Sequence, residues 1–120
     1  MAYHSLTDTS KLNTTQMYNE MKEKMTLVKS LKDTYPEASF SHLMGGYEAG
    51  YYGYLWSKVY AQDLFSRFQQ DGVLNPRVGK DFRKTILTNG GEHDPMELII
   101  SFLGRNPNSQ AFLDIIFEKK

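Results

Sequence analysis

Apolar side chains at every third or fourth position are the feature of this sequence that most limits its fold. Between Tyr47 and Gln70 they advance in unbroken steps of four, with more apolar residues beside them. The residues are Tyr52, Trp56, Tyr60, Leu64 and Phe68, flanked by Leu55, Val59 and Phe65. A period near 3.6 places such residues on one side of an α-helix. The stretch is predicted to be a helix whose apolar surface is wide enough to need several neighbours.

A second periodic stretch, from about Asn13 to Lys32, predicts an amphipathic helix. Its apolar residues are Met17, Met21, Met25, Val28 and Leu31. Glu20 and Lys24 lie four positions apart on the polar side, an orientation that stabilises a helix. Pro36 follows, and proline disfavours helical angles in the residue before it. The helix is therefore expected to end before Pro36.

Three shorter helices are predicted by pairs in which Asn or Asp precedes proline. The pairs are Asn75 with Pro76, Asp94 with Pro95, and Asn106 with Pro107. An Asx side chain can cap a helix whose first residue is proline. Asn89, Gly90 and Gly104 supply stop signals. Because no segment alternates apolar and polar residues long enough for a strand, the fold class is predicted to be all-α, with about five helices.

Composition excludes several classes of function. The 14 basic and 14 acidic residues cancel, so nothing draws the chain towards nucleic acid or an anionic membrane. No apolar run approaches the roughly 20 residues of a membrane-spanning helix, and the first ten residues do not read as a secretory signal. With 120 residues and no cysteine, the chain fits one compact domain without disulfides or thiolate metal ligands. We expect a soluble chain that binds neither nucleic acid nor membrane.

Metal and nucleophile motifs are also missing from the sequence. The histidines His4, His42 and His93 are too far apart to form an HExxH motif, in which two imidazoles share one helix face. No nucleophile-elbow serine is present. The pair Gly45 and Gly46 lacks the Lys-Ser/Thr and the preceding strand of a phosphate loop. The prediction is that this chain holds no metal site.

Residues 37–53, EASFSHLMGGYEAGYYG, are unusually rich in glycine and tyrosine. If the helix begins near Tyr47, then Tyr47, Tyr51 and Tyr54 lie within an arc of roughly 60°. An aromatic stripe of this kind is commonly core packing. Yet each tyrosine brings a hydroxyl that needs a partner when buried, and a phenol can donate a hydrogen bond to negative charge developing on a carbonyl oxygen. Both interpretations remain open from the residues alone.

Three stretches together resemble the carboxy-terminal segment of the thimet oligopeptidase and neurolysin family of zinc metallopeptidases. They are FSHLMGGYEAGYYGYLWSKVYAQDLFSRF, DGVLNPRVGKDFRKTILTNGG and SFLGRNPNSQAFL. The resemblance covers essentially the whole chain and is strongest from Phe40 to Leu113. It implies the last part of a larger helical catalytic domain that cuts short peptides. In that family an HExxH helix and a distant glutamate bind zinc, and all of these ligands lie upstream of the matched region.

The resemblance also implies roles for individual residues. His42 is similar to a histidine that hydrogen-bonds the substrate backbone, and Tyr47 to a tyrosine that touches the peptide. Gly45 and Gly46 belong to the flexible substrate-binding loop. Tyr51 and Tyr54 resemble the catalytic pair that faces the zinc-bound oxygen, with Tyr54 expected to be the main donor.

The sequence is accordingly interpreted as one segment, residues 1–120, of a metallopeptidase catalytic domain. Residues 1–36 form an arm and the amphipathic helix, 37–53 the substrate loop, and 54–120 a helical region. Zinc is the cofactor of the parent enzyme and not of this chain, which is expected to be inactive alone. Short peptides are the partners in the parent, and the cytoplasm is the expected location, with mitochondria as the alternative. The competing hypothesis is a free-standing helical module that forms a homo-oligomer, or binds a partner chain, through exposed apolar helix surface.

Overall fold

A computed structural model describes residues 5–117, so His4 lies outside the described residues. Within that range the regular structure is helical and contains no strand, which confirms the prediction of an all-α fold. The α-helices are α1 (Thr14–Thr26), α2 (Gly53–Asp71), α3 (Pro76–Phe82), α4 (Pro95–Leu103) and α5 (Gln110–Ile116). Two 3₁₀ turns occupy Pro36–Ser39 and Ser41–Met44, and a π-helical turn spans Arg83–Leu87.

The chain divides into two compact units between Tyr52 and Gly53. We call residues up to Tyr52 the N-terminal unit and those from Gly53 onward the C-terminal unit. The interpretation of residues 1–120 as one segment of a larger catalytic domain stays a prediction. No helix in the described range is long and apolar enough to cross a membrane.

In the N-terminal unit, α1 begins where expected but ends early. The Asn13 side chain accepts a hydrogen bond from the Gln16 amide at 2.9 Å, a standard N-cap. The predicted extension to Lys32 is wrong, because Leu27 adopts a left-handed backbone with φ of 60°. Beyond this point the chain turns back, and the Ser30 amide donates to Glu23 Oε1 at 2.8 Å. The Glu23 side chain of α1 thus bonds to Ser30, a residue that the periodicity had assigned to the helix itself.

Helix α2 begins at Gly53, so the predicted start near Tyr47 is wrong. The amides of Gly50 and Tyr51 both donate to the Tyr47 carbonyl at 3.2 Å, which closes a turn over residues 47–51. Just before it, Gly46 has a φ of +90°, and its amide donates to Glu48 Oε1 at 3.0 Å. Residues 47–54 are therefore not one continuous α-helix. The condition under which Tyr47, Tyr51 and Tyr54 would share one helix face is not met.

The core of the C-terminal unit is a cluster of phenylalanines. The rings of Phe68, Phe82 and Phe102 lie pairwise 5.4–5.9 Å apart. Phe102 and the neighbouring core residue Val78 are only 2% and 1% exposed. Helix α2 contacts α3, α4 and α5. This confirms the prediction that its wide apolar surface needs several neighbours. Burial of this surface is the main stabilising contribution in the unit.

The same helix carries a buried carboxylate that the sequence analysis missed. Asp63 is 1% exposed, and both its oxygens accept hydrogen bonds from Arg105, at 2.9 and 2.6 Å. The Asn108 amide donates to it at 2.8 Å. Burial by itself raises the pKa of Asp63, but the hydrogen bonds from Arg105 and Asn108 outweigh it and hold that pKa below its usual value. The carboxylate therefore stays ionised at neutral pH and fixes residues 105–108 against α2.

Two of the three predicted Asx-Pro helix starts are confirmed. Asn75 accepts a hydrogen bond from the Arg77 amide at 3.0 Å, and Asp94 accepts one from the Met96 amide at 2.7 Å. The predicted stop at Gly104 is confirmed by its left-handed φ of 69°. The expected last turn of the helix from Pro76 is instead the π-helical turn.

The third start, at Asn106 and Pro107, is wrong, because α5 begins at Gln110. The Asn108 side chain accepts a hydrogen bond from the Gln110 amide at 2.8 Å. The Asn108 amide, which an Asn106 side-chain cap would bind, donates to Asp63 instead. A tertiary contact has delayed the helix by about one turn.

Candidate functional site

Four aromatic rings in the N-terminal unit form the candidate site, which we call the ring cluster: Phe40, His42, Tyr47 and Tyr51. The imidazole of His42 lies 5.2 Å from the rings of both Tyr47 and Tyr51, and 5.7 Å from that of Phe40. Phe40 and Tyr51 meet edge to face at 4.8 Å. These separations are typical of favourable aromatic contacts. Three of the predicted site residues, His42, Tyr47 and Tyr51, are thus brought together.

Two tight turns position the rings. The Phe40 amide donates to the Glu37 carbonyl at 3.2 Å, and the Leu43 amide donates to the Phe40 carbonyl at 3.0 Å. These bonds close the two 3₁₀ turns on either side of Phe40. The turn at residues 47–51 then presents Tyr47 and Tyr51 one helical turn apart. Short-range backbone hydrogen bonds, rather than a long helix, therefore build the cluster.

The two glycines predicted to bind substrate have local conformational reasons to be glycine. A β-carbon on Gly45 would lie 3.1 Å from the Ser41 carbonyl oxygen, tighter than ordinary contact. Gly46 has the left-handed φ of +90°, which other L-residues rarely adopt. The sharp change of direction between the 3₁₀ turn and Tyr47 depends on these residues. That they bind substrate stays a prediction.

The cluster is open to solvent on its tyrosine side. Tyr47 and Tyr51 are 43% and 44% exposed, whereas Phe40 and His42 are half-buried. An imidazole and two phenols in one exposed patch can donate and accept hydrogen bonds along a peptide backbone. The phenylalanine, which has no such capacity, supports the His42 and Tyr51 rings from beneath.

Tyr54 belongs to the other unit. It lies in the first turn of α2, and its side chain is 49% exposed. The structure therefore brings together His42, Tyr47 and Tyr51 within one unit and places Tyr54 outside that unit. The catalytic role assigned to Tyr54 stays a prediction.

Phe40 is the site residue that the sequence analysis overlooked. The signal available for it was its position two residues before His42, in a stretch otherwise almost free of large aliphatic side chains. Periodicity could not reveal it, because the backbone around it is not a regular helix. Its contact with Tyr51 spans eleven positions of sequence.

No three His, Asp or Glu side chains within residues 5–117 lie close enough together to hold a metal ion. The residues present therefore do not fit a zinc site.

Comparison with known proteins identifies the family. The sequence model of peptidase family M3 matches residues 1–117. Oligopeptidase A of Haemophilus influenzae is 45% identical over 94 residues, which are 78% of this chain and 14% of that protein. The thimet-like oligopeptidase of Dictyostelium discoideum is 38% identical over 115 residues, 96% of this chain and 17% of that protein. Oligopeptidase A of Escherichia coli is 48% identical over 81 residues, 67% of this chain and 12% of that protein.

The chain belongs to peptidase family M3, a family of zinc metallopeptidases. The resemblance to the oligopeptidases is thereby confirmed. The chain spans less than a fifth of the length of the three relatives described above.

Proposed function

We propose that this chain supplies the substrate-contacting and oxyanion-stabilising segment of a zinc-dependent oligopeptidase that hydrolyses short peptides. The observation that carries the proposal is the ring cluster, in which His42 lies 5.2 Å from both Tyr47 and Tyr51 in a chain of peptidase family M3. The 120 residues contain no HExxH motif, and we propose that they do not hydrolyse peptides alone. A cytoplasmic location, with mitochondria as the alternative, remains part of the proposal.

Each side chain has a specific task in this proposal. His42 and Tyr47 hydrogen-bond the backbone of a bound peptide, while the turn made by Gly45 and Gly46 allows the main chain to approach it closely. Tyr51 and Tyr54 donate phenolic hydrogen bonds to the oxygen that gains negative charge when the peptide carbonyl is attacked. A tyrosine hydroxyl carries the proton that such a hydrogen bond requires. Such donors act without a proton leaving the protein.

A chimeric enzyme tests the proposal. In it, the 115 residues of this chain that match the Dictyostelium discoideum thimet-like oligopeptidase replace the matching region of that protein. In the chimera, Tyr54→Phe should lower kcat on a quenched peptide by about 10² to 10³, the usual effect of losing one oxyanion donor, with zinc content unchanged. Tyr51→Phe should have a smaller effect on kcat, and His42→Ala should mainly raise KM.

Tyr35→Phe is the matched control, because Tyr35 is an exposed tyrosine outside the ring cluster, and its kcat should equal that of the unmutated chimera. If kcat is unchanged in Tyr54→Phe, the oxyanion role is wrong. A zinc-loaded, folded chimera that cleaves nothing would contradict the wider proposal. The chain by itself, incubated with the peptide and added zinc, should show no turnover.

A second candidate function is self-association, as the hypothesis of a free-standing module implies. Leu55 and Trp56, adjacent near the start of α2, are both exposed, and exposed apolar patches tend to be interfaces. On this view the chain forms a homo-oligomer through α2, and Leu55→Glu should shift the equilibrium towards monomer. Light scattering at high concentration measures this directly, and a monomer there would contradict it.

A further inference from the structure

The C-terminal unit contains a cavity of about 420 Å³ that is separate from the ring cluster. Helix α2 contributes one wall, the start of α4 contributes Met96, and the segment before α5 forms the opposite wall. The residues lining it are Trp56, Val59, Tyr60, Met96, Asn106, Pro107, Asn108 and Ser109. Its volume is within the range of small-ligand pockets.

None of the eight residues that line the cavity carries a charge at neutral pH. The nearby carboxylate of Asp63 is neutralised by Arg105. A charged ligand group would therefore gain no ion pair there, and the part of it that the cavity covers would lose hydration at a cost. The cavity favours a neutral ligand.

The chemistry of the lining narrows the ligand further. Trp56 and Tyr60 lie side by side, with ring centroids 6.5 Å apart, and Val59, which also lines the cavity, is buried. Aromatic and thioether surfaces of this kind suit another aromatic ring. On the facing wall, the side-chain amide of Asn106 makes no hydrogen bond within residues 5–117. It can therefore bond to a peptide group.

The facing wall is held in place before any ligand arrives. The Arg105 side chain donates to the Asn106 carbonyl at 3.0 Å, Asp63 accepts from the Asn108 amide, and Pro107 has a restricted φ. A wall that is already ordered costs little entropy on binding. Asp63 is thus a positioning residue for the cavity.

We infer that this cavity is a binding site for an aromatic side chain of a neutral peptide segment, stacked against Trp56 and Tyr60 with its backbone hydrogen-bonded by Asn106. The inference does not depend on the ring cluster or on the catalytic role proposed for Tyr54. It would hold in a chain that never cleaves a peptide.

Trp56 is the only tryptophan in the sequence, so its fluorescence reports on the cavity selectively when tyrosine is not excited. N-acetylphenylalanine amide is the probe and should produce a saturable change with a Kd on the order of 1 mM, as expected for a ligand of this size. N-acetylaspartate amide, which is charged, should produce none.

Met96→Glu should weaken binding of the phenylalanine probe by about tenfold or more, because it places a charge in the neutral cavity. The variant should fold, since Met96 lies in the first turn of α4, where glutamate is favourable. Met96→Leu should bind normally. Met44→Glu, which places the same charge on a methionine exposed elsewhere, is the matched control and should also bind normally.

Three results would overturn the inference. The first is no saturable change in the unmutated chain, and the second is equal binding by Met96→Glu when circular dichroism shows it folded. The third is Trp56 emission that depends on protein concentration without ligand, because a second copy of the chain would then be the occupant.

Discussion

The two units differ most in what they bury. No side chain between residues 5 and 52 is buried, whereas the described part of the C-terminal unit buries Val59, Asp63, Val78 and Phe102. Within residues 5–52 the first unit has one α-helix and several turns, and its rings meet in an exposed cluster. Residues 53–117 of the second have four α-helices around a phenylalanine core. Residues proposed to touch substrate thus lie mainly where packing is weakest.

This difference has a physical basis. A group that must contact a ligand cannot also be covered by the protein core, and segments with few buried contacts open at low free-energy cost. The C-terminal unit, by contrast, has apolar burial and a fully bonded carboxylate. Ring contacts therefore order the candidate site locally in the N-terminal unit, while burial in the C-terminal unit supplies most of the stability.

The largest effect is expected at the core. Phe102→Ala should lower the free energy of unfolding by about 3–5 kcal/mol, because it leaves a cavity among the phenylalanines and removes the ring beneath the Arg67 guanidinium at 4.5 Å. Phe40→Ala in the ring cluster should cost less than about 2 kcal/mol, since that ring is only half-buried. Urea unfolding followed by circular dichroism measures both. Equal losses of unfolding free energy in the two variants would contradict the difference in packing between the units.

Removal of the partner of Asp63 should be the next largest effect. Arg105→Met should destabilise the chain by about 3 kcal/mol, because it leaves a buried carboxylate without its cation. Arg77→Met, which changes an exposed arginine, is the matched control and should stay within about 0.5 kcal/mol. If the two variants unfold at the same urea concentration, the buried ion pair is not a source of stability.

Acid should act on the same carboxylate with a smaller effect. The pKa of Asp63 is lowered in the folded chain, so its stabilising contribution is fully present above the unfolded-state value of about 3.9 and is lost as pH falls through the folded value. Unfolding free energies measured from neutral pH to below 4 should therefore decline. Asp63→Asn should show a shallower decline over that window, and an identical slope would contradict the assignment.

The smallest effect concerns the helix caps. Asn75→Ala should cost about 1 kcal/mol, because the Asn75 side chain accepts from the Arg77 amide. Asn106→Ala should stay within about 0.5 kcal/mol, since the Asn106 side chain caps no helix. Thermal or urea unfolding of the two variants distinguishes them. If Asn106→Ala lowered the free energy of unfolding more than Asn75→Ala, the predicted helix start at Asn106 would be supported.

The sequence alone predicted a large share of the fold. The all-α class, the caps at Asn75 and Asp94 and the stop at Gly104 all follow from interactions within a few residues, and the structure confirms them. The helix from Tyr47 and the helix start at Asn106 were wrong. Residues 47–51 close a turn before α2 begins at Gly53, and the Asn108 amide, which an Asn106 cap would bind, donates to Asp63 instead.

For the candidate site, the residues His42, Tyr47 and Tyr51 could be chosen from their pattern, but their arrangement could not. Their rings meet because two 3₁₀ turns precede a turn over residues 47–51, which lies where the helix was expected to begin, and Phe40 joins them from outside any periodic pattern.

Local chemistry, then, determined which segments are helical and where most of them begin. Tertiary structure decided which polar groups are buried and which rings meet. Asp63 and Arg105 are 42 positions apart, and no periodicity links them. Short-range hydrogen bonds depend only on neighbouring residues, whereas burial and long-range ion pairing depend on the whole chain having folded.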